Sequence, residues 1–284
     1  MTPRIVAVIG AGAMGTGIAQ VVAASGLTVH LFDTTMDALL KAGQRIKDSL
    51  ERQSKKGVLA PDEAAKIPHR IVPFTDLTDA KDADLVIEAV YENEDAKQKI
   101  WKRLDEMCRL DALFASNTSS ISITQLAAVV RRPERFIGMH FFNPVPVMKL
   151  IEVIRGNRTD DATCEAIVNL SRFLGKTPVE VNDYPGFVSN RVLMPLINEA
   201  IFTVHEGVAK AEAVDEIFKL GMAHPMGPLT LADFIGLDVC LNIMEVLQRG
   251  FGDPKYRPCP LLKQMVAAGK LGRKSGQGFF RYEQ

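Results

Sequence analysis

The sequence predicts an α/β protein with a doubly wound parallel sheet, followed by a smaller all-α domain. Three observations lead to this prediction. Apolar runs rich in β-branched residues alternate with segments of helical periodicity as far as about residue 181. The first of these runs leads directly into a glycine-rich turn and a helix, and beyond residue 186 only helical spacing continues. Strands that alternate with helices form parallel sheets with helices on both faces.

The first 33 residues form a complete βαβ unit. The strand at residues 4–9 is followed at once by a G-x-G-x-x-G turn, a helix and a second strand that ends in Asp33. In a Rossmann-type dinucleotide site, Gly10 makes the tight turn, Gly12 lets the backbone approach the pyrophosphate, and Gly15 lets helix and strand pack closely. Asp33 then receives the adenosine ribose. A carboxylate repels a 2′-phosphate, and no arginine follows in Thr34-Thr35, so we expect NAD rather than NADP.

The next segment, residues 37–56, reads as a long amphipathic helix with an excess of basic residues. Between residues 41 and 57, six lysines and arginines are opposed only by Asp48 and Glu51. Such an excess would hold a polyphosphate group outside the sheet. A solvated helix face is the more common meaning of such a pattern, and the segment alone favours it.

Later strands deliver polar residues to the carboxyl edge of the sheet, where open α/β folds bind ligands. Strands at residues 84–90, 112–116 and 136–140 are separated by helices at 92–110 and 123–130. A helix at 162–174 and a strand at 177–181 complete the domain. The strand at 112–116 places Asn117, Thr118 and Ser119 at this edge.

A turn between two strand-like runs brings an imidazole and a carboxylate together. Asn143-Pro144-Val145-Pro146 continues neither a helix nor a central strand, so the chain reverses there. A returning strand at residues 149–154 would bring Glu152 near His140, a pair suited to proton transfer. The alternative is a core histidine bonded to a backbone carbonyl, with Glu152 on the surface.

We place the domain boundary at the turn-forming segment 182–186, which gives domains at residues 1–184 and 185–284. Helices are expected at 187–206, where Pro195 should introduce a kink, at 212–220 and over 229–247. Asn190 lies in the first turns of the first of these helices. Its amide suits a substrate carbonyl, although a capping or interhelical role is equally compatible with its position.

Composition narrows the classes of partner. Lys plus Arg equals Asp plus Glu at 34 each, which gives no reason to expect nucleic acid or an anionic membrane. The four cysteines are far apart without a C-x-x-C pair or clustered histidines, so we expect neither a metal site nor a disulfide framework. We read no basic n-region or apolar h-region in the residues before the first strand, and no apolar run approaches the ~20 residues of a membrane helix. We therefore expect a cytoplasmic protein.

Four motifs together resemble the 3-hydroxyacyl-CoA dehydrogenase family over essentially the whole chain. They are Ser116-Asn117-Thr118-Ser119-Ser120, His140-Phe141-Phe142-Asn143-Pro144-Val145-Pro146, Pro185-Gly186-Phe187 with Asn190-Arg191, and His224-Pro225-Met226-Gly227-Pro228. The resemblance implies NAD-dependent interconversion of (S)-3-hydroxyacyl-CoA and 3-ketoacyl-CoA, with short substrates such as 3-hydroxybutyryl-CoA.

The resemblance also assigns roles to individual residues. His140 is the acid/base and Glu152 its orienting partner, while Ser119 and Asn190 hold the substrate oxygen. Coenzyme A contacts are expected at Ser49 and Lys56, which favours a phosphate site on the basic helix. Contacts with NAD are expected at the glycine loop and beyond it, namely at Gly10, Gly12, Ala13, Met14, Gly15, Asp33, Glu92, Lys97, Asn117, Ser119, Asn143 and Lys274.

Two alternatives remain at this point. A dehydrogenase of small sugar acids such as L-gulonate shares the fold and the His/Glu pair, but the basic segment through Lys56 and the Val145–Lys149 segment favour an acyl-CoA substrate. A non-catalytic NAD sensor or a crystallin-like structural protein would be free to lose the catalytic residues, and here they are intact.

The sequence also predicts a homodimer formed through the α domain, because its helices offer more apolar surface than about a hundred residues bury internally. The family likewise pairs through this domain. The residues that suggest it are Leu193, Ile197, Ile201, Phe234, Ile235, Leu237, Ile243 and Leu247.

Overall fold

A computed structural model describes residues 3–283 of the chain. These residues form two compact units, and the division falls between Asp183 and Tyr184, one residue before the predicted boundary. No helix within the described residues is long and apolar enough to cross a membrane.

The first unit is built on a single eight-stranded sheet. Its strands are β1 (Ile5–Ile9), β2 (Thr28–Phe32), β3 (Ile71–Phe74), β4 (Leu85–Glu88), β5 (Leu113–Ser116), β6 (Phe136–Phe141), β7 (Leu150–Arg155) and β8 (Thr177–Asn182). They lie in the order β3-β2-β1-β4-β5-β6-β7-β8, and all neighbours are parallel except β6 and β7. Because β1 lies between β2 and β4, a crevice opens at the carboxyl ends of β1 and β4. The predicted doubly wound parallel sheet is confirmed.

Helices cover the sheet, and several of them begin at residues whose side chains cap them. Thr35 accepts a hydrogen bond from the Ala38 amide, and Asn93 accepts one from the Ala96 amide, which satisfies donors that a helix leaves unpaired at its start. The helices are α1 (Ala13–Ala24), α2 (Met36–Lys55), α3 (Pro61–Lys66), α4 (Glu94–Met107), α5 (Ile123–Ala127) and α6 (Asp161–Phe173).

Strand β3 and helix α3 were not predicted from the sequence. β3 has four residues, lies at the edge of the sheet beside β2 and contains Pro73. Proline is tolerated at a sheet edge because it has no amide hydrogen to donate. A short run interrupted by proline therefore carries little strand signal.

The second unit is helical. It contains α7 (Ser189–His205), with Pro195 inside it, α8 (Ala211–Gly221), α9 (Pro228–Ile235), α10 (Leu237–Phe251) and α11 (Pro260–Ala267). The stretch predicted as helical over 229–247 is two helices, because Gly236 adopts a φ of 105° that ends α9. α11 was not predicted, and isolated β-bridges join Gly272 to Gln277 and Gln277 to Arg281.

The four cysteine thiols are free and buried. Burial raises the pKa of Cys108 to about 11 and that of Cys240 to about 12. Among residues 3–283, no group of three or more His, Cys, Asp or Glu could hold a metal ion.

Candidate active site

The glycine loop between β1 and α1 has three glycines in three different situations. Gly10 has a φ of 106°, and a Cβ there would lie 2.7 Å from the carbonyl oxygen of Ala89. A Cβ on Gly15 would lie 1.8 Å from the carbonyl oxygen of Gly10, so helix and loop are in direct contact there. No atom lies within 4 Å of a Cβ built on Gly12. The loop is thus tightly closed on the protein side and open at Gly12, as a dinucleotide requires.

The N-terminus of α1 faces this opening with backbone groups alone. Gly12 is the N-cap and supplies no side chain, and the first turn contains no acidic residue. The first intrahelical bond runs from the Thr16 amide to the Gly12 carbonyl. The amides of Ala13, Met14 and Gly15 therefore have no partner inside the helix, and the helix dipole adds partial positive charge. Such a helix end binds phosphate.

Asp33 lies beside the loop at the end of β2. One carboxylate oxygen accepts from the Ala11 amide at 2.8 Å, and the other accepts from the Thr34 amide at 2.8 Å. The oxygen bonded to the Thr34 amide also accepts from the Thr34 hydroxyl at 3.3 Å, whereas the oxygen bonded to the Ala11 amide has a second lone pair that can accept from a ribose hydroxyl.

His140 and Glu152 face each other across the antiparallel pair β6 and β7, where they are register partners. The His140 Nδ1 atom lies 2.8 Å from Glu152 Oε2, and the two residues are 8% and 3% exposed. A carboxylate only accepts hydrogen bonds, so Nδ1 carries the proton and Nε2 is the basic nitrogen of the ring. The predicted pairing of these side chains is present, and the alternative with Glu152 on the surface is excluded.

Asn117 joins the ends of two neighbouring strands. Its side-chain oxygen accepts from the backbone amide of Phe141 at 2.9 Å. The backbone amide of Asn117 donates to the Glu88 carbonyl oxygen at 2.8 Å. The residue is buried and holds the end of β6, one residue past His140, against the end of β5.

Glu92 collects donors from the loop that follows β5. Its Oε1 atom accepts from the Thr118 hydroxyl at 2.6 Å, and from the backbone amides and hydroxyls of Ser119 and Ser120 at 3.0 to 3.3 Å. Burial raises the pKa of the Glu92 carboxyl, but attraction to Lys97 and these hydrogen bonds outweigh it. The pKa of Glu92 is consequently below its usual range, and the carboxylate is ionised at neutral pH.

Lys97 is 1% exposed and directs its ammonium group at protein atoms. The group lies 2.6 Å from Glu88, 3.3 Å from Glu92 and 3.3 Å from the Val90 carbonyl oxygen. Sequence reasoning assigned Lys97 to the cofactor and missed Glu88. An acidic residue that ends the buried strand Leu85–Glu88 was a usable signal, because a buried charge requires a partner.

Asn143 is exposed at the start of the loop between β6 and β7, where the Asn143–Pro144 peptide bond is cis. Lys176 holds this loop by donating to the carbonyl oxygens of Val145 and Met148 at 2.5 and 2.7 Å. Burial lowers the pKa of Lys176. Its contribution was not predicted, since no spacing in the sequence relates it to the loop.

The predicted coenzyme A residues lie on one side of the end of α2. Ser49 accepts a hydrogen bond from Gln53 at 3.3 Å, and Lys56 is the exposed C-cap residue. Residues 49, 53 and 56 follow each other at one-turn spacing, so they share a face of the helix.

Two predicted site residues belong to the second unit. Asn190 is the second residue of α7 and is 9% exposed. Lys274 lies in a short 3₁₀ turn, 2.6 Å from the carboxylate of Asp238 on α10.

Two family models match the chain in succession. The NAD-binding domain of 3-hydroxyacyl-CoA dehydrogenase matches residues 5–184, and the C-terminal domain of 3-hydroxyacyl-CoA dehydrogenase matches residues 186–282. The chain belongs to the 3-hydroxyacyl-CoA dehydrogenase family.

Individual relatives agree with this assignment. The chain is 56% identical over 284 residues to a probable 3-hydroxybutyryl-CoA dehydrogenase of Bacillus subtilis, with 100% of this chain and 99% of that protein covered. It is 44% identical to human mitochondrial hydroxyacyl-coenzyme A dehydrogenase, with 98% and 91% covered. The crystal structure of (S)-3-hydroxybutyryl-CoA dehydrogenase from Ralstonia eutropha matches with a TM-score of 0.97 and 52% identity over 100% of both chains.

As a member of the 3-hydroxyacyl-CoA dehydrogenase family, the chain is an NAD-dependent oxidoreductase, and the predictions of family, cofactor and enzyme class are confirmed. Within the first unit, the carboxyl ends of β1, β2, β4, β5 and β6 carry the residues expected to form the cofactor and proton-transfer sites. The ammonium group of Lys97 bonds to Glu88 and Glu92, and its contact with NAD stays a prediction.

Proposed function

We propose that this enzyme interconverts (S)-3-hydroxyacyl-CoA and 3-ketoacyl-CoA, with 3-hydroxybutyryl-CoA and acetoacetyl-CoA as its main substrates. The observation that carries the proposal is the buried contact of 2.8 Å between His140 and Glu152. The substrate class is supported by similarity to a probable 3-hydroxybutyryl-CoA dehydrogenase at 56% identity.

The residues of the first unit fit an NAD molecule at the crevice. Gly12 leaves space for the pyrophosphate, α1 directs unpaired amides toward it, and Asp33 is available to the ribose. When bound, NAD accepts the hydride that leaves C3 of the substrate.

His140 is the proposed acid/base. As the 3-hydroxyl group becomes a ketone, its proton passes to Nε2 of His140, and the ring becomes an imidazolium. Glu152 accepts the Nδ1 hydrogen throughout and stabilises the positive charge. In the reducing direction, His140 returns the proton to the oxygen. Ser119 and Asn190 are proposed to bind that oxygen, and Ser49 and Lys56 the nucleotide end of coenzyme A.

Asp33 is proposed to make the enzyme selective for NAD(H). Its carboxylate repels a 2′-phosphate, so the kcat/KM with NADPH should be far below that with NADH. Comparable values with the two cofactors would contradict this role.

A homodimer through the second unit is proposed on a changed set of residues, which keeps Phe234 from those first considered. Ile197, Ile201, Leu237, Ile243 and Leu247 are buried in the unit's own core and give no support to a dimer. Phe234 is 51% exposed, however, and several other apolar side chains in this unit are also exposed, namely Val192, Ile217, Leu220, Met222 and Val239. A monomer in sedimentation at micromolar concentration would contradict the proposal.

Steady-state kinetics with matched substrates test the function. With NADH, we expect acetoacetyl-CoA to have a higher kcat/KM than its truncated thioester without the nucleotide, and free acetoacetate to be poorest. Lys56→Ala should raise the KM for acetoacetyl-CoA only, because a remote contact sets binding rather than turnover.

The matched control is Lys41→Ala, since Lys41 is exposed on the same helix and already pairs with Asp37 at 2.7 Å. Preference for a free hydroxy acid such as L-gulonate would support a sugar-acid dehydrogenase. Binding of NADH without turnover of any of these substrates would support a non-catalytic protein.

A further inference from the structure

Glu88 is a fully buried carboxylate to which no role in the reaction has been given. It ends β4, between Ile9 of β1 and Ser116 of β5, at the edge of the sheet where the cofactor residues lie. Burying a charge is costly unless it is paired and hydrogen-bonded. Its contacts therefore indicate why the residue is charged.

Three elements are tied together by this carboxylate. One oxygen accepts from the Lys97 ammonium at 2.6 Å and from the Val90 amide at 2.8 Å, and the other accepts from the Ser116 hydroxyl at 2.6 Å. Lys97 belongs to α4, Val90 to the segment that leads to Glu92, and Ser116 to the end of β5. Helix α4, the segment from Val90 to Glu92 and the end of β5 all adjoin residues of the proposed cofactor site.

Lys97 has two carboxylates within reach and lies closer to one of them. The distance is 2.6 Å to Glu88 but 3.3 Å to Glu92. The Glu92 carboxylate is thereby left to bind the loop of Thr118, Ser119 and Ser120. Were Glu88 neutral, the buried Lys97 ammonium would lose the nearer of these two carboxylates, and its attraction to the partly exposed Glu92 carboxylate would draw those two groups together.

We propose that Glu88 is a positioning residue for the cofactor site. It holds the Lys97 ammonium so that the Glu92 carboxylate can organise the 118–120 loop. This inference deepens the proposed function and rests on the location of the cofactor site in that proposal. The buried Glu88–Lys97 pair would thus contribute to NADH binding in addition to any contribution to stability.

Glu88→Gln tests this role, because the amide has nearly the same shape and no charge. We expect the Kd for NADH, measured by NADH fluorescence, to rise about tenfold, a change of about 1.4 kcal/mol. The KM for acetoacetyl-CoA should change far less. Each variant is measured well below its own unfolding temperature, because removing one partner of a buried pair also lowers stability.

Asp105→Asn is the matched control. Asp105 is also on α4, is 3% exposed, and pairs with Arg131 at 2.7 Å, but it contacts no residue of the proposed cofactor site. It should lower the unfolding temperature and leave the Kd for NADH unchanged. If Glu88→Gln behaves like Asp105→Asn, the pair is structural only and the proposal is wrong.

A crystal structure of Glu88→Gln tests the route through Glu92. The Lys97 ammonium should lie closer to the Glu92 carboxylate than 3.3 Å, and the Thr118 hydroxyl should lie beyond hydrogen-bond distance of Glu92. A Glu92 carboxylate that keeps its bonds to residues 118–120 would overturn the route. The Kd for NADH does not depend on the acyl substrate, so a failure of the substrate assignment would be seen separately, as absent turnover of acetoacetyl-CoA by the unaltered enzyme.

Discussion

Each unit contains a carboxylate that accepts several hydrogen bonds, but the two differ in burial and in surroundings, since the Glu92 side chain is 36% exposed and Asp233 is 1% exposed. In the first unit, Glu92 receives several hydrogen bonds and lies 3.3 Å from Lys97, and its pKa is lowered. In the second unit, Asp233 accepts from the Phe279 and Phe280 amides at 3.0 Å and from the Tyr282 hydroxyl at 3.1 Å. Burial nevertheless raises the pKa of Asp233, and the neighbouring charge of Asp215 adds to the rise.

At Asp233, hydrogen-bond donors alone do not offset the cost of burying the charge, whereas Glu92 keeps part of its surface in solvent and has a cation beside it. Carboxylates beside a cation remain charged and can serve chemistry. Carboxylates whose partners are N–H and O–H groups, such as Asp233, hold the chain in place. They stabilise the fold through their acceptor oxygen atoms more than through their charge. Asp233 in this way fixes the C-terminal segment that contains Lys274.

The largest effect is expected on kcat, at the pair of His140 and Glu152, where the imidazolium cation forms during the reaction. Glu152→Gln keeps the shape of the side chain but cannot stabilise the His140 imidazolium, so kcat should fall, and His140→Gln should lower it by about 10² to 10⁴. The Kd for NADH should change little, and rates are compared well below the unfolding temperature of each variant, because removing one partner of a buried pair lowers stability. Turnover close to that of the unaltered enzyme in His140→Gln would show that the acid/base is another group.

An intermediate effect is expected at Asp233, on stability rather than on rate. Asp233→Ala should lower the free energy of unfolding by about 3 kcal/mol, because three partly buried donors lose their acceptor at about 1 kcal/mol each. Asp233→Asn should cost clearly less, since it keeps an acceptor oxygen and loses only the charge. Urea unfolding at pH 7 measures both, and equal losses would mean that the charge itself stabilises this site.

The smallest effect is on the free energy of unfolding, to which Glu92 and Asp233 should give pH dependences of opposite sign. The folded pKa of Glu92 is lowered, so its stabilisation is fully present above about pH 4.5 and is lost as the pH falls through the folded value. The folded pKa of Asp233 is raised from 3.8, so its stabilisation is greatest at low pH and is lost as the pH rises through the folded value.

Urea unfolding of Glu92→Gln and Asp233→Asn against the unaltered enzyme, repeated from pH 7 to 3.5, separates these trends. The stability difference at Glu92 should shrink with acid, and the difference at Asp233 should grow. A common direction for both would remove the distinction between the two carboxylates.

Much of the first unit followed from local sequence. The first βαβ unit is continuous in the chain, and glycines, helix and Asp33 lie within 33 residues. The pairing of His140 with Glu152 was also accessible, because a proline-rich turn between two strands forces an antiparallel return. Strand β3 and the helix break at Gly236 were missed, since a short edge strand and a single glycine give weak periodic signals.

The partners of Lys97 could not be read from spacing. Its position depends on the parallel pairing of β4 with β5, which aligns Glu88 with Ser116 across 28 residues of sequence. Lys176 is similar, as it reaches carbonyl groups 28 and 31 residues away. Contacts made through the sheet or between loops carry no periodicity, and they include the groups that support the proposed site.

The Glu92 oxygen that receives five donors has more partners than its lone pairs can serve. An sp² oxygen forms about two strong hydrogen bonds, so the five share its capacity unequally. The Thr118 hydroxyl at 2.6 Å has the largest share, and the Ser119 hydroxyl at 3.3 Å has the smallest. Turning the Ser119 hydroxyl away from Glu92 therefore weakens the hydrogen bonding of this oxygen only slightly, because the remaining donors take up the vacated lone pair. If Ser119 binds the substrate oxygen as proposed, this surplus would let its hydroxyl donate to that oxygen while its backbone amide keeps its bond to Glu92.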